Sequence, residues 1–127
     1  MARDNKPLFG IKALVMGLGL HGGGVASVKW LIKQGASVSA TDMRSAELLA
    51  PSLRALRGLP VTYILGRHRI ADFKKNDLVV VNPGVPRESE YLDIAKKAKK
   101  RIENDTSLFF RFDEHVQIAV TGTRGKT

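Results

Sequence analysis

The 127-residue chain contains no cysteine, which excludes a disulfide framework, thiol catalysis and any cysteine-ligated metal, and agrees with a reducing compartment. It has no apolar run near the roughly 20 residues that a membrane helix requires. Its start, MARDNKPLFG, carries no hydrophobic signal segment, so the cytoplasm is the expected location and no membrane partner is expected. Aromatic residues are scarce, at 6%, and none interleaves with the densest basic stretch, AKKAKKR (Ala95 to Arg101), which holds five cations. A stacking surface for nucleic acid needs that interleaving, so the stretch reads as the solvated face of a helix whose Ile94, Ala95 and Ala98 turn inward. The three histidines show no metal-ligand spacing, and no zinc site is expected. What is present is ordinary for a globular domain: 43% hydrophobic and 26% charged residues, with a net charge of +9 that favours an anionic small ligand.

Strand and helix patterns alternate along the chain. IKALVMGLG (Ile11 to Gly19) is a strand running into a glycine turn, and the spacing of Val25, Val28, Leu31 and Ile32 gives a helix closed by Gly35. ASVSATD (Ala36 to Asp42) is a second strand, Ser45 to Gly58 a helix interrupted at Pro51, and VTYILG a third strand. RHRIADFKKN (Arg67 to Asn76) is the longest connection, with room for a short helix. DLVVVNPG (Asp77 to Gly84) is a strand apolar enough to be covered on both faces. ESEYLDIAKKAKKR follows as a helix, RIEN as a short strand, TSLFFRFDE as a helical stretch and VQIAV as a last strand. This alternation predicts an α/β fold, a Rossmann-like doubly wound parallel sheet whose ligand lies beyond the carboxyl ends of the strands.

The residues that could carry chemistry fall at those ends. Gly17, Gly19 and Gly22 form GLGLHG between a strand and a helix, and Asp42 ends the next strand 20 residues beyond Gly22. Glycine lets backbone approach a pyrophosphate, whose charge then sits at the helix N-terminus. Any diphosphate satisfies that logic, NAD or a UDP-sugar alike. Asp42 and Arg44 are placed to meet a ribose or a base, or in Arg44's case a 2′-phosphate, although Asp42 capping or solvating the strand end is also open. Gly84 in NPGVP lets the chain pass close to a ligand, although a plain turn also explains it. His21 reads as a phosphate contact or an exposed loop residue, His68 and His115 as surface residues, and Trp30 as core. The chain ends on VTGTRGKT, in which Gly122, Thr123, Gly125, Lys126 and Thr127 have the pattern of an ATP-binding phosphate loop, Thr127 reaching the metal. Such a loop needs the helix after it, so a longer enzyme is expected.

The glycine loop on the first strand, NPGVP after the fourth and TGTRGKT at the far end together resemble the Mur ligases of peptidoglycan synthesis, over essentially the whole chain. That resemblance implies residues 1–104 as a Rossmann-like domain binding the UDP part of the substrate, and 105–127 as a linker and the start of a central ATPase domain. It places Gly19, Leu20 and His21 along the diphosphate, Asp42 and Arg44 near the uracil, Gly84 beside the sugar-phosphate, and Lys126 and Thr127 at ATP and Mg2+. Three positions depart from the usual pattern: His21 replaces a small hydroxyl residue, HGGG lengthens the loop by two residues, and Arg124 stands where Asn is common. The implied reaction is ATP-dependent: the alanine carboxylate of UDP-N-acetylmuramoyl-L-alanine is phosphorylated, and the amine of D-glutamate attacks the acyl phosphate. The implied enzyme is a cytoplasmic monomer. No complete catalytic set lies within these residues, and the fragment alone is expected to be inactive. An L-alanine-adding Mur ligase, an NAD(P)-dependent oxidoreductase domain and a nucleotide-sensing module are the alternatives, of which the last two leave TGTRGKT unused.

Overall fold

A computed structural model describes residues 6–20, 22–86 and 89–112, with only the backbone described over 109–112. The elements alternate as expected. They are β1 (Lys12–Met16), α1 (Gly23–Lys33), β2 (Ser37–Asp42), α2 (Ala50–Ala55), β3 (Val61–Leu65), α3 (Ile70–Lys75), β4 (Leu78–Val81), α4 (Glu90–Lys97), β5 (Arg101–Asn104) and α5 (Asp105–Phe112). The five strands form one parallel sheet in the order β3-β2-β1-β4-β5. The chain therefore winds outward from β1 in both directions, and the strand order reverses between β1 and β4.

The period-two alternation of side chains divides the core. Ala13 and Val15 of β1 pack with Val38, Ala40, Leu78 and Val80 beneath α1 and α2, where Val28, Leu31, Leu49 and Leu56 are buried. Leu14, Met16 and Val79 face the other way, onto Phe73 of α3 and Leu92 and Ala95 of α4. Both faces of the central strands are thus covered, which is why their sequences are continuously apolar. Leu108 of α5 is buried in the first of these layers. Trp30 is half-buried at its edge rather than central.

Two local expectations change and one is met. Pro51 does not interrupt a long helix; it lies in the first turn of the short α2, where its missing N–H costs nothing. The connection 67–76 does hold a helix, α3, started after the extended Arg69. The basic helix α4 ends at Lys97, and Lys99 turns into a left-handed conformation, so only the first two of the five cations extend the helix. The last strand read from the sequence, VQIAV, the phosphate loop Gly122 to Thr127, and His115 lie outside the described residues. Among the described residues no helix is long and apolar enough to cross a membrane.

Candidate functional site

At the switch point two loops leave adjacent strands and splay apart. The Asn82 N–H donates to Met16 O at 2.9 Å and the Gly17 N–H to Thr41 O at 2.8 Å, which fixes the roots of both loops to the sheet. Gly17 has φ +92°, and a Cβ there would meet Val85 Cγ2 at 2.8 Å and Asn82 Cβ at 2.9 Å. Only glycine permits this approach of the two loops. Between them lies a crevice of about 710 Å3, within the range of small-molecule sites. Gly17, Gly19, Leu20, Asp42, Arg44 and Gly84, all singled out in the sequence, line it, together with Gly23, Met43, His68, Asn82 and Asp105. His21 lies outside the described residues. Gly22 sits at the N-cap of α1 with φ +91°. The first-turn N–H groups of α1, Gly23 to Val25, have no helical carbonyl to bind, and no acidic side chain occupies that turn. That end of α1 suits an anion.

Asp42 occupies a different position from the one its motif suggests. It is 2% exposed, and its Oδ2 accepts hydrogen bonds from Leu18 N at 2.8 Å and Gly19 N at 3.1 Å, while Oδ1 accepts from Arg44 N at 2.8 Å. The carboxylate therefore clamps the glycine loop to the end of β2. Ser52 of α2 adds a second tie, its hydroxyl donating to Gly19 O at 2.6 Å. Gly19 is thus held from both sides and its N–H is already used, so it offers close approach rather than a free donor. The Arg44 guanidinium is half-exposed and makes a long contact of 3.5 Å to Asp42 Oδ1.

His68 is the main correction among the histidines. It is half-buried and lines the crevice rather than the open surface. Its Nδ1 lies 2.8 Å from Thr41 Oγ1, and its ring meets Tyr91 edge-on at 5.2 Å and Phe73 at 6.0 Å. Burial lowers its pKa from the usual histidine value, against an opposing pull from the Asp42 charge.

Two further residues lie within motifs, NPGVP and HGGG, but were not singled out in the sequence. Asn82 Oδ1 accepts from Gly84 N at 2.9 Å, which orients the amide so that Nδ2 lies toward the glycine loop, 3.4 Å from where a Gly19 Cβ would stand. It adds a donor on the β4 side. Gly24 packs so closely that a Cβ would lie 2.6 Å from Leu18 Cα and 2.7 Å from its carbonyl carbon. The tight helix-to-loop contact belongs to Gly24, while a Cβ on Gly22 would meet nothing within 4 Å. HGGG contained the signal for this, read in the sequence only as a lengthened loop.

Residues 11–103 match the family model described as Mur ligase MurD-like, N-terminal domain. A UDP-N-acetylmuramoylalanine--D-glutamate ligase of Roseiflexus sp. is 49% identical over 120 residues, covering 94% of this chain and 26% of that protein. Proteins of the same name from Borreliella burgdorferi (strain ZS7) and Treponema pallidum are 49% and 42% identical, over 90% and 94% of the chain and 25% and 23% of their own lengths. The chain thus spans about a quarter of the relatives it matches. Among solved structures, a pseudomurein peptide ligase type C from Methanothermus fervidus superposes with a TM-score of 0.53 at 19% identity, over 78% of this chain and 20% of that one. MtNAS, in complex with MTA and tNA, gives 0.52 at 14% identity, over 72% and 34%. At these identities the superpositions concern the fold alone.

Proposed function

The chain belongs to the Mur ligase family through its MurD-like N-terminal domain, and from that premise we propose that it is the UDP-binding part of an ATP-dependent ligase joining D-glutamate to UDP-N-acetylmuramoyl-L-alanine in peptidoglycan synthesis. The observation that carries this reading is the crevice at the β1/β4 switch point, where the glycine loop, the N-terminus of α1 and the Asn82 amide converge. Backbone donors at a helix end suit the diphosphate, and the wall formed by Asp42, Met43 and Arg44 suits the nucleoside. The names of the relatives support D-glutamate as the added amino acid over L-alanine.

The state of Asp42 weighs against a dinucleotide oxidoreductase. In that class the acid ending β2 is kept for a ribose hydroxyl. Here the carboxylate takes three backbone N–H groups and is only 2% exposed, which leaves little of it open to such a hydroxyl.

We place the domain boundary between residues 104 and 105, with α5 as a linker that packs Leu108 back onto the sheet; the family match ending at residue 103 supports it. On this reading ATP and Mg2+ belong to the segment Gly122 to Thr127 and the domain it opens, and the enzyme works as a monomer in the cytoplasm. These 127 residues alone bind substrate without turning it over. Isothermal titration tests the reading. UDP and UDP-N-acetylmuramoyl-L-alanine bind, and NADH binds at least about tenfold more weakly, since it lacks the uracil and adds a second nucleoside. NADH binding as tightly as UDP would restore the oxidoreductase.

A further inference from the structure

We propose that His68 is a specificity-determining residue whose Nε2 accepts a hydrogen bond from a donor on the uridine of the ligand, either the imide N3–H or a ribose hydroxyl. The proposal rests on the UDP reading of the crevice, and it follows from a proton count. Thr41 is fully buried, and its Oγ1 lies 3.1 Å from the Arg67 carbonyl and 2.8 Å from His68 Nδ1. A carbonyl can only accept, so the single hydroxyl proton of Thr41 goes to Arg67 O. Thr41 Oγ1 then accepts from His68 Nδ1–H. In the neutral ring that arrangement leaves the lone pair on Nε2. Burial favours the neutral ring.

The geometry holds this acceptor in place. Thr41 anchors one edge of the ring, while Tyr91 and the fully buried Phe73 pack against it edge-on, and His68 is one of the residues that line the crevice. His68 enters from the loop after β3, which an antiparallel bridge between Arg67 and Asp42 ties to the end of β2. A neutral Nε2 repels phosphate oxygens, which are acceptors themselves. It attracts an N–H or O–H, and the nucleoside carries both kinds.

The test measures affinity by titration calorimetry for the chain and for the H68F, H68Q and H68N variants, with UDP, 3-methyl-UDP, 2′-deoxy-UDP and 3′-deoxy-UDP. The original chain loses roughly fivefold or more on the analogue that lacks the donor read by His68. H68F binds UDP more weakly by a similar factor and no longer distinguishes that analogue. H68Q, whose amide oxygen reaches the Nε2 position, retains the preference. H68N reaches only the Nδ1 position, so it keeps the Thr41 contact and loses the preference, which separates ligand contact from mere support of the loop. Backbone amide spectra confirm that each variant is folded. A folded H68F with all three preferences intact overturns the inference alone. Failure of the original chain to bind UDP overturns the UDP reading and this inference with it.

Discussion

Single residues in the crevice answer to the loops they hold as much as to any ligand. Asp42 stood out in the sequence as the acid beyond a glycine fingerprint, and that position is where the crevice lies. Its hydrogen bonds were not legible, because Leu18, Gly19 and Arg44 present their N–H groups to it only after the loop has folded back on β2. Asp42→Ala leaves those donors without a charged acceptor and should destabilise the chain by roughly 3 kcal/mol. Urea unfolding measures this, and UDP binding should fall with it because the loop loses its shape. Stability close to that of the original chain, with binding alone lost, would instead make Asp42 a ligand contact. Asn82 and His68 escaped sequence reading too. The His68 ring is oriented by Thr41, 27 residues away in the chain, a spacing that forms no pattern, whereas Asn82 bonds Gly84 N only two residues on, a local turn that NPGVP already implied without showing that the amide faces the glycine loop.

Elements were more legible than their ends. The apolar runs of β1 and β4 announced strands covered on both sides, and the spacing of Val25, Val28 and Leu31 gave the buried face of α1. The start of α1 was less plain, since five glycines fall between residues 17 and 24 and only their surroundings distinguish them. Gly24 lies against Leu18 backbone, whereas Gly22 has open space but a left-handed φ of +91°. Gly24→Ala should therefore force the helix off the loop, costing about 1–3 kcal/mol and weakening UDP binding strongly. Gly22→Ala should cost about 1–2 kcal/mol through backbone strain alone, with a smaller effect on affinity. Thermal unfolding together with UDP titration separates the two. Equal loss of affinity in both would show that the loop, and not its packing on the helix, sets the site. Pro51 shows how a sound local rule can mislead: proline breaks a helix interior, yet here it begins one, and Ser52 beside it reaches Gly19 O.

For the whole molecule, alternation of strand and helix implied a parallel sheet, but not which strand lies beside which. The order β3-β2-β1-β4-β5 depends on which face each crossover takes, and burial on both faces makes the strand sequences poor guides to that choice. The order matters because it creates the β1/β4 switch point and gathers the glycine loop, Asp42, His68 and the Asn82 to Pro86 turn around one crevice. A second opening lies at the amino ends of the strands, lined by Lys12, Ser37, Ser39 and Lys75, and it provides an internal control. Mapping amide chemical shifts of the chain on addition of UDP tests the central claim most directly. The account predicts saturable changes centred on Gly17, Gly19, Leu20, Gly23, Arg44, His68 and Gly84, with little response at Lys12, Ser37 or Lys75. Changes centred on those latter residues, or a saturable response to NADH with none to UDP, would contradict it.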